Sequence, residues 1–304
     1  MVMQGLGIGD DVQTRQKKSR LGFFARIKRG WQLTKLGIAV VRADPELMVY
    51  VLLSGVFSIV ASVVFIVFSF GTEMLIGNSD EEIAFNVVNL GITFVGYLVI
   101  AVITVFWNAA IVASAHHRLT TGENPSFSYG IGQAMKCLPQ IFVWGIISGT
   151  IGVILKLLEG MAQDAKFPVN LIFGIVTFLI GTAWWVVTFF MIPLIVLEKA
   201  GVKECFVTSP KLFKKTWGEN IGAVGGAGII NFLVILLIVA VSVPLFFLGN
   251  VGAGLGILFV ILGVGLSILF FTTVDAVGRA SMYYYAKTGE LPPLAAQLGI
   301  SFSD

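Results

Sequence analysis

Charge is the scarcest commodity in this sequence. Only 12% of its 304 residues are Asp, Glu, Lys or Arg, about half the ~25% of a soluble domain. Histidine occurs twice, at adjacent positions, and cysteine twice, at Cys137 and Cys205. Two cysteines 68 residues apart supply neither a disulfide framework nor a metal-ligand spacing. Signatures of catalysis are missing too. The sequence holds no nucleophile elbow, no zinc-binding helix motif, no carboxylate pair at the membrane surface and no loop long enough for a soluble catalytic domain. "GLGIG" near the N-terminus follows no strand and opens no suitable helix, so it is no dinucleotide fingerprint. The expectation is a protein that is not an enzyme and takes no cofactor.

What fills the space is apolar, 57% of all residues. Glu46 to Glu73 encloses 26 uncharged residues, Glu82 to His116 encloses 33, and Lys136 to Lys156 encloses 19. Lys166 to Glu198 encloses 31, and Glu219 to Asp275 encloses 55. A helix of ~20 apolar residues crosses the ~30 Å hydrocarbon core. The last window is too long for one crossing and breaks at "VPLFFLGNVGAG", leaving 24 residues on each side. A membrane barrel would alternate apolar and polar residues, and these windows do not. The fold expected is all-α and polytopic. It has six spans, about 47–71, 87–114, 138–157, 169–197, 220–243 and 251–274, arranged as three hairpins.

Of the 20 Lys and Arg, all but Lys156 and Lys166 fall on the side of the termini. The positive-inside rule makes that side cytoplasmic in a cell-membrane protein. The first apolar run is too long for a signal h-region and is read as a retained span. Residues 1–19 read as a disordered tail and 293–304 as a second tail, with the six-span domain occupying 20–292. Both cysteines map to the reducing side and read as packing residues.

Residues 20–43 suggest a basic helix lying on the membrane surface. Nine Lys or Arg and no acid fall between Asp11 and Asp44. Phe23, Phe24, Ile27, Trp31, Ile38 and Val41 share one arc, and Arg26, Lys28, Arg29, Gln32 and Lys35 lie off it. Leu33, Leu36 and Val40 interrupt the polar face, so part of it is open to cover by protein as well. Arg26, Lys28, Arg29, Trp31 and Lys35 are therefore the candidate contacts to lipid headgroups, anionic ones above all. Asp44 and Pro45 read as the N-cap and first position of span one. "SFSYGIGQAMKCLPQI" and "GVKECFVTSPKLFKKTWGEN" have a comparable form before spans three and five. Each hairpin is thus expected to follow one cytoplasmic amphipathic helix.

Asn108–Pro125, "NAAIVASAHHRLTTGENP", aligns without gaps on Asp275–Pro292, "DAVGRASMYYYAKTGELP", with seven identities in 18 positions. This reads as a parallel internal repeat, unlike the inverted repeats of many transporters. In it His116 and His117 stand opposite Tyr283 and Tyr284. Adjacent helical residues point about 100° apart. The histidines therefore read as an interfacial helix end and not as metal ligands.

Few polar residues approach the bilayer. Asn108, Asn231 and the threonines of "FTTV" are expected to bond between helices. Asp275 follows the last apolar run, near the inner interface, with Arg279 four residues on as its partner. Glycine pairs such as Gly145/Gly149, Gly222/Gly226 and Gly252/Gly256 invite close helix packing.

The stretch "FFARIKRGWQLTKLGIAVVRADPELMVYVLLSG", followed by "IPLIVLEKAGVKECFVTSPKLFKKTWGEN", resembles an uncharacterised family of six-span prokaryotic membrane proteins. It is similar, more distantly, to the membrane domain found beside some glycerophosphodiester phosphodiesterases. The resemblance covers roughly Leu21 to Pro292. It implies a fold and a membrane location, and it carries over no catalytic residue. A scaffold or accessory subunit that binds lipid headgroups or partner proteins is the expected function, as a homo-oligomer or within a larger complex and without nucleic acid. The alternative is a channel or transporter for a small or lipid-like solute, which would need a polar path through Asn108, Asn231 and Asp275.

Overall fold

The computed structural model describes residues 23–76, 82–166 and 168–300. Eleven α-helices and no strand are found among them. In chain order they are α1 (Phe23–Ala43), α2 (Leu47–Ile76), α3 (Glu82–Thr121), α4 (Phe127–Met135), α5 (Leu138–Asp164) and α6 (Val169–Thr188). Then follow α7 (Met191–Leu197), α8 (Val202–Lys215), α9 (Trp217–Ser242), α10 (Gly249–Thr288) and α11 (Pro293–Gln297). Six helical stretches are long and apolar enough to cross a membrane. They are α2, α3, α5, α6 continued through α7, α9, and α10. The sequence reading of an all-α membrane protein therefore holds. Residues 1–19 lie outside the described residues.

Two spans are far longer than the bilayer needs. α3 and α10 have 40 residues each. At 1.5 Å per residue that is about 60 Å, twice the ~30 Å hydrocarbon core. The excess of each sits at one end of the molecule, where α1, α4, α7, α8 and α11 gather around it. We call this end the base. The buried apolar cluster lies here, drawing on Leu36, Ile111, Ile141, Phe190 and Met282, and among the described residues it takes none from 51–104, 145–188 or 228–270. The most apolar stretch of Leu47–Thr72 has no buried residue. Packing energy is thus concentrated in the base, while the outer parts of the spans show their side chains to lipid, where apolar contact costs nothing.

Neighbouring spans pack in sequence, α2 on α3, α3 on α5, α5 on α6, and α9 on α10. α10 also lies against α2 and α3, whereas α6 finds its main partners in α5 and α8. A cleft consequently separates the fourth span from the last two. Gly145 and Gly149 close the α3–α5 contact, where an added Cβ would come within 2.6 Å of Val102 Cγ2 and 3.0 Å of Leu98 Cδ2.

Proline sets one break. The fourth span stops at Thr188 and resumes at Met191, since Pro193 has no N–H to return to Phe189 O. At the break the Phe190 N–H donates to Ser209 Oγ of α8, at 3.0 Å.

Glycine sets two ends. α3 and α10 both stop at a left-handed residue, Gly122 with φ 77° and Gly289 with φ 80°. Thr121 Oγ1 accepts from Glu123 N, and Thr288 Oγ1 from Glu290 N, each at 3.1 Å. The two "TGExP" stretches therefore build the same cap. His116 also packs on Tyr283, the position aligned with it, at 6.4 Å between ring centroids, so the two helices meet in register.

The α1 arc carrying Trp31 and Ile38 reads as membrane-facing, with part of the opposite face open to cover by protein. α1 buries the face of Leu33, Thr34, Leu36, Val40 and Val41 against protein, and Trp31 stays 36% exposed. The cause is that α1 fits between α9 and α10 instead of resting on lipid alone. An added Cβ at Gly37 would stand 3.1 Å from Val274 O, and one at Gly226 2.6 Å from Trp31 Cε3. The leucines that seemed to interrupt a polar face are the ones in contact with protein. α11 is a further contact of the base. The segment read as the start of a tail docks on α3 with Leu294 and Ala295 buried.

Candidate functional site

α9 and α10 face each other along apolar surfaces, and the few polar groups on them find one another. Ser267 Oγ of α10 donates to Asn231 Oδ1 of α9 at 2.7 Å. Two turns further along α10, Arg279 Nη2 donates to Asp275 Oδ2. Asn231, Asp275 and Arg279 line one cavity of about 400 Å³ at the base end of the cleft. α9 contributes Ala227, Gly228 and Asn231, and α10 contributes Phe271, Thr272, Asp275 and Arg279. The opposite wall is Trp185 and Phe189 from the fourth span. Those rings are held edge-on to each other at 5.4 Å and to Phe213 at 5.2 and 5.3 Å. The result is an apolar-walled space with an ion pair and two neutral polar groups on one side. A smaller recess beside it joins Asp275 and Arg279 to Thr34 of α1.

Of the residues singled out in the sequence, Asn231, Asp275 and Arg279 come together here. Asn108 does not. Its Nδ2 donates to Thr104 O of its own helix at 2.9 Å. Thr273 likewise bonds Leu269 O at 2.7 Å within α10. Both corrections have one cause, because a carbonyl one turn back is always within reach of a short polar side chain. Lys28 and Lys35 are exposed. With Arg42, also exposed, they form a row seven residues apart on one side of α1. Trp31 lies over Gly226 beside that row. Arg26 and Arg29 belong to α1, and their side chains lie outside the described residues.

The two histidines part company. His116 faces Tyr283 and Tyr284, each at 6.4 Å, and His117 stacks near Tyr129 at 4.7 Å. Both cysteines are buried. Burial pushes the Cys137 thiol up and the Cys205 thiol up to about 11, so neither supplies a reactive thiolate near neutral pH.

One polar cluster escaped the sequence reading. Glu198 accepts from Tyr283 Oη and, at 2.5 Å, from Lys287 Nζ. Lys215 Nζ donates to Ala286 O at 2.8 Å. Burial raises the Glu198 carboxyl, but the bonds from Lys287 and Tyr283 outweigh it and hold the group below its ordinary value. Together these contacts fasten the end of α10 to the α7–α8 junction. The partners are 85 residues apart in the chain, so no local pattern announces them.

Asp44 was read as the N-cap of span one. Its carbonyl accepts from Leu47 N at 3.4 Å. The carboxylate is only 2% exposed, and neither oxygen accepts a hydrogen bond of normal geometry among the described residues. Burial pushes this carboxyl above its ordinary value of 3.8; Arg118 and the backbone N–H of Glu46 oppose the shift, and the Glu46 charge adds to it. A raised folded-state pKa gives stability that is full below the unfolded pKa and lost as pH rises through the folded one. Asp44→Asn should therefore melt later than the parent protein at pH 7, and the gain should vanish below the ordinary aspartate range. Melting curves from pH 3 to 8 in one detergent check this; a variant that melts earlier at pH 7 refutes it.

No curated protein matches the chain. Its residues 83–292 match one described family, from the second span to just past the cap of α10. That stretch takes in every residue of the cavity, and the chain belongs to this family of unknown function (DUF6159).

Proposed function

We propose that the protein is a non-enzymatic membrane scaffold or accessory subunit that binds phospholipid headgroups, with its base on the cytoplasmic side of the cell membrane. One observation carries the reading: the buried core is concentrated in the base, while the spans leave lateral clefts open toward lipid. Besides the cavity beside Asp275, clefts of about 590 to 620 Å³ lie between α2 and α3, between α3 and α5, and between α5 and α6. Bilayer lipid is the material at hand to fill them. The exposed row of Lys28, Lys35 and Arg42 supports a base that faces anionic headgroups. The matching caps of α3 and α10 support an internal duplication that built this layer. The more distant resemblance to the membrane domain beside some glycerophosphodiester phosphodiesterases, which act on phospholipid headgroup diesters, is in keeping with such a role. Transport would need Asn108 on one path with Asn231 and Asp275, and Asn108 is bonded to Thr104 away from their cavity.

Two measurements test the proposal. A reporter fused after Asp304 should read as cytoplasmic; an external reading reverses the orientation. The full chain should co-purify with anionic phospholipid in mild detergent, as quantified by mass spectrometry. Each removed surface charge is worth about 1 kcal/mol before screening. The triple change K28Q/K35Q/R42Q should therefore lower bound anionic lipid by on the order of tenfold. An unchanged lipid profile would sink the headgroup role of this row.

A further inference from the structure

The cavity between the fourth span and the last two is built for a particular kind of headgroup. We infer that it binds a zwitterionic phospholipid bearing a primary amine, with the phosphate against Arg279 and the ammonium against Asp275. This inference rests on the lipid-binding reading and adds to it a site and a specificity.

Depth is the first argument. The 24 uncharged residues 251–274 rise about 36 Å as a helix, slightly more than the ~30 Å hydrocarbon core. Asp275 thus lies at the level of the lipid phosphates. Access is the second. The cavity belongs to the cleft between the fourth span and the last two, which meet at the base, so a lipid enters sideways with its chains still in the bilayer. Its volume of about 400 Å³ falls in the ~300–1,000 Å³ range of small-molecule sites, and the apolar wall of Trp185, Phe189 and Phe271 suits the first carbons of the chains.

Chemistry is the third. Arg279 commits Nη2 to Asp275, yet its side chain lines the cavity and stays partly exposed. A phosphate oxygen is the acceptor that a guanidinium recognises best. The ion pair has no net charge. A purely anionic headgroup would gain from Arg279 and lose to Asp275. A primary ammonium donates hydrogen bonds to the carboxylate, and a trimethylammonium cannot. Asn231 and Thr272 remain beside the pair as neutral hydrogen-bonding groups for the glycerol esters.

The test is the thermal stability of the delipidated full chain in detergent. Phosphatidylethanolamine, phosphatidylcholine and phosphatidylglycerol of identical acyl chains are added separately, with soluble phosphoethanolamine as a fourth arm. Phosphatidylethanolamine should raise the midpoint by about 5–10 °C and the other two lipids by clearly less. Soluble phosphoethanolamine should give no shift; one equal to the lipid's would assign the site to a soluble ligand and overturn the proposal. Asp275→Asn should erase the preference for ethanolamine over choline, and Arg279→Gln should remove the shift from every lipid. If Arg279→Gln does not fold, Asn231→Leu, which leaves the ion pair intact, should weaken the ethanolamine shift by at least half. Equal shifts from all three lipids, or a preference that survives Asp275→Asn, would overturn the site. K28Q/K35Q/R42Q should leave the ethanolamine shift unchanged, so the two lipid readings fail or stand separately.

Discussion

Arg279→Leu should destabilise the protein by about 2–3 kcal/mol, and the double change Asp275→Leu with Arg279→Leu should cost less than that single one. The pair closes across one helical turn of α10, and its side chains are 38% and 28% exposed in the isolated protein. Breaking a fully buried ion pair costs ~3–5 kcal/mol, since the remaining charge keeps its desolvation penalty without a partner. Partial exposure lowers that figure. Removing both charges also removes the penalty, and leucines suit a wall already formed by Phe271 and Trp185. Melting temperatures of both singles and the double, in detergent without added lipid, give the coupling directly. Strictly additive losses would show that the two residues act independently.

A second large effect is expected in α4, from two glycines only two residues apart. Gly130→Ala should cost about 3 kcal/mol, whereas Gly132→Ala should be neutral or gain ~0.5–1 kcal/mol. A Cβ at Gly130 would stand 2.4 Å from Ser114 Oγ, 2.5 Å from Tyr50 Oη and 2.6 Å from Ala110 O, while one at Gly132 meets nothing within 4 Å. The first three atoms cannot all retreat. Tyr50 Oη is held to Ser114 Oγ and to Phe127 O, both at 2.9 Å, and its ring stacks on Phe127 at 4.8 Å. Methylating Gly130 must therefore push α4 away from α3 or break that network. The comparison with Gly132 removes helix propensity as an explanation, because both changes share it. Similar melting temperatures for the two variants would mean that the base is looser than its packing implies.

What the sequence determined by itself are the features encoded locally. Charge-free runs of 19 to 33 residues set the number of spans, and a punctuated run of 55 set the turn between the last two. The "TGExP" stretches set the helix ends at Gly122 and Gly289, because a left-handed residue is a demand on one position and needs no distant partner. Asp275 and Arg279 could be paired on paper for the same reason, being one turn apart. Tertiary structure decided everything that depends on which apolar neighbour a side chain meets. Leu33 and Leu36 of α1 are buried by helices and Val67 of α2 is left exposed on the outside of the bundle, yet hydropathy scores them alike. The two asparagines diverge in the same way. Asn231 found Ser267 across the helix contact and Asn108 turned back on its own helix. Glu198 reaches Tyr283 and Lys287 only because the break at Phe189–Phe190 turns the chain toward α10. A lipid chain and a leucine present nearly the same surface, so an apolar sequence fixes that a residue is out of water and leaves its partner to the fold.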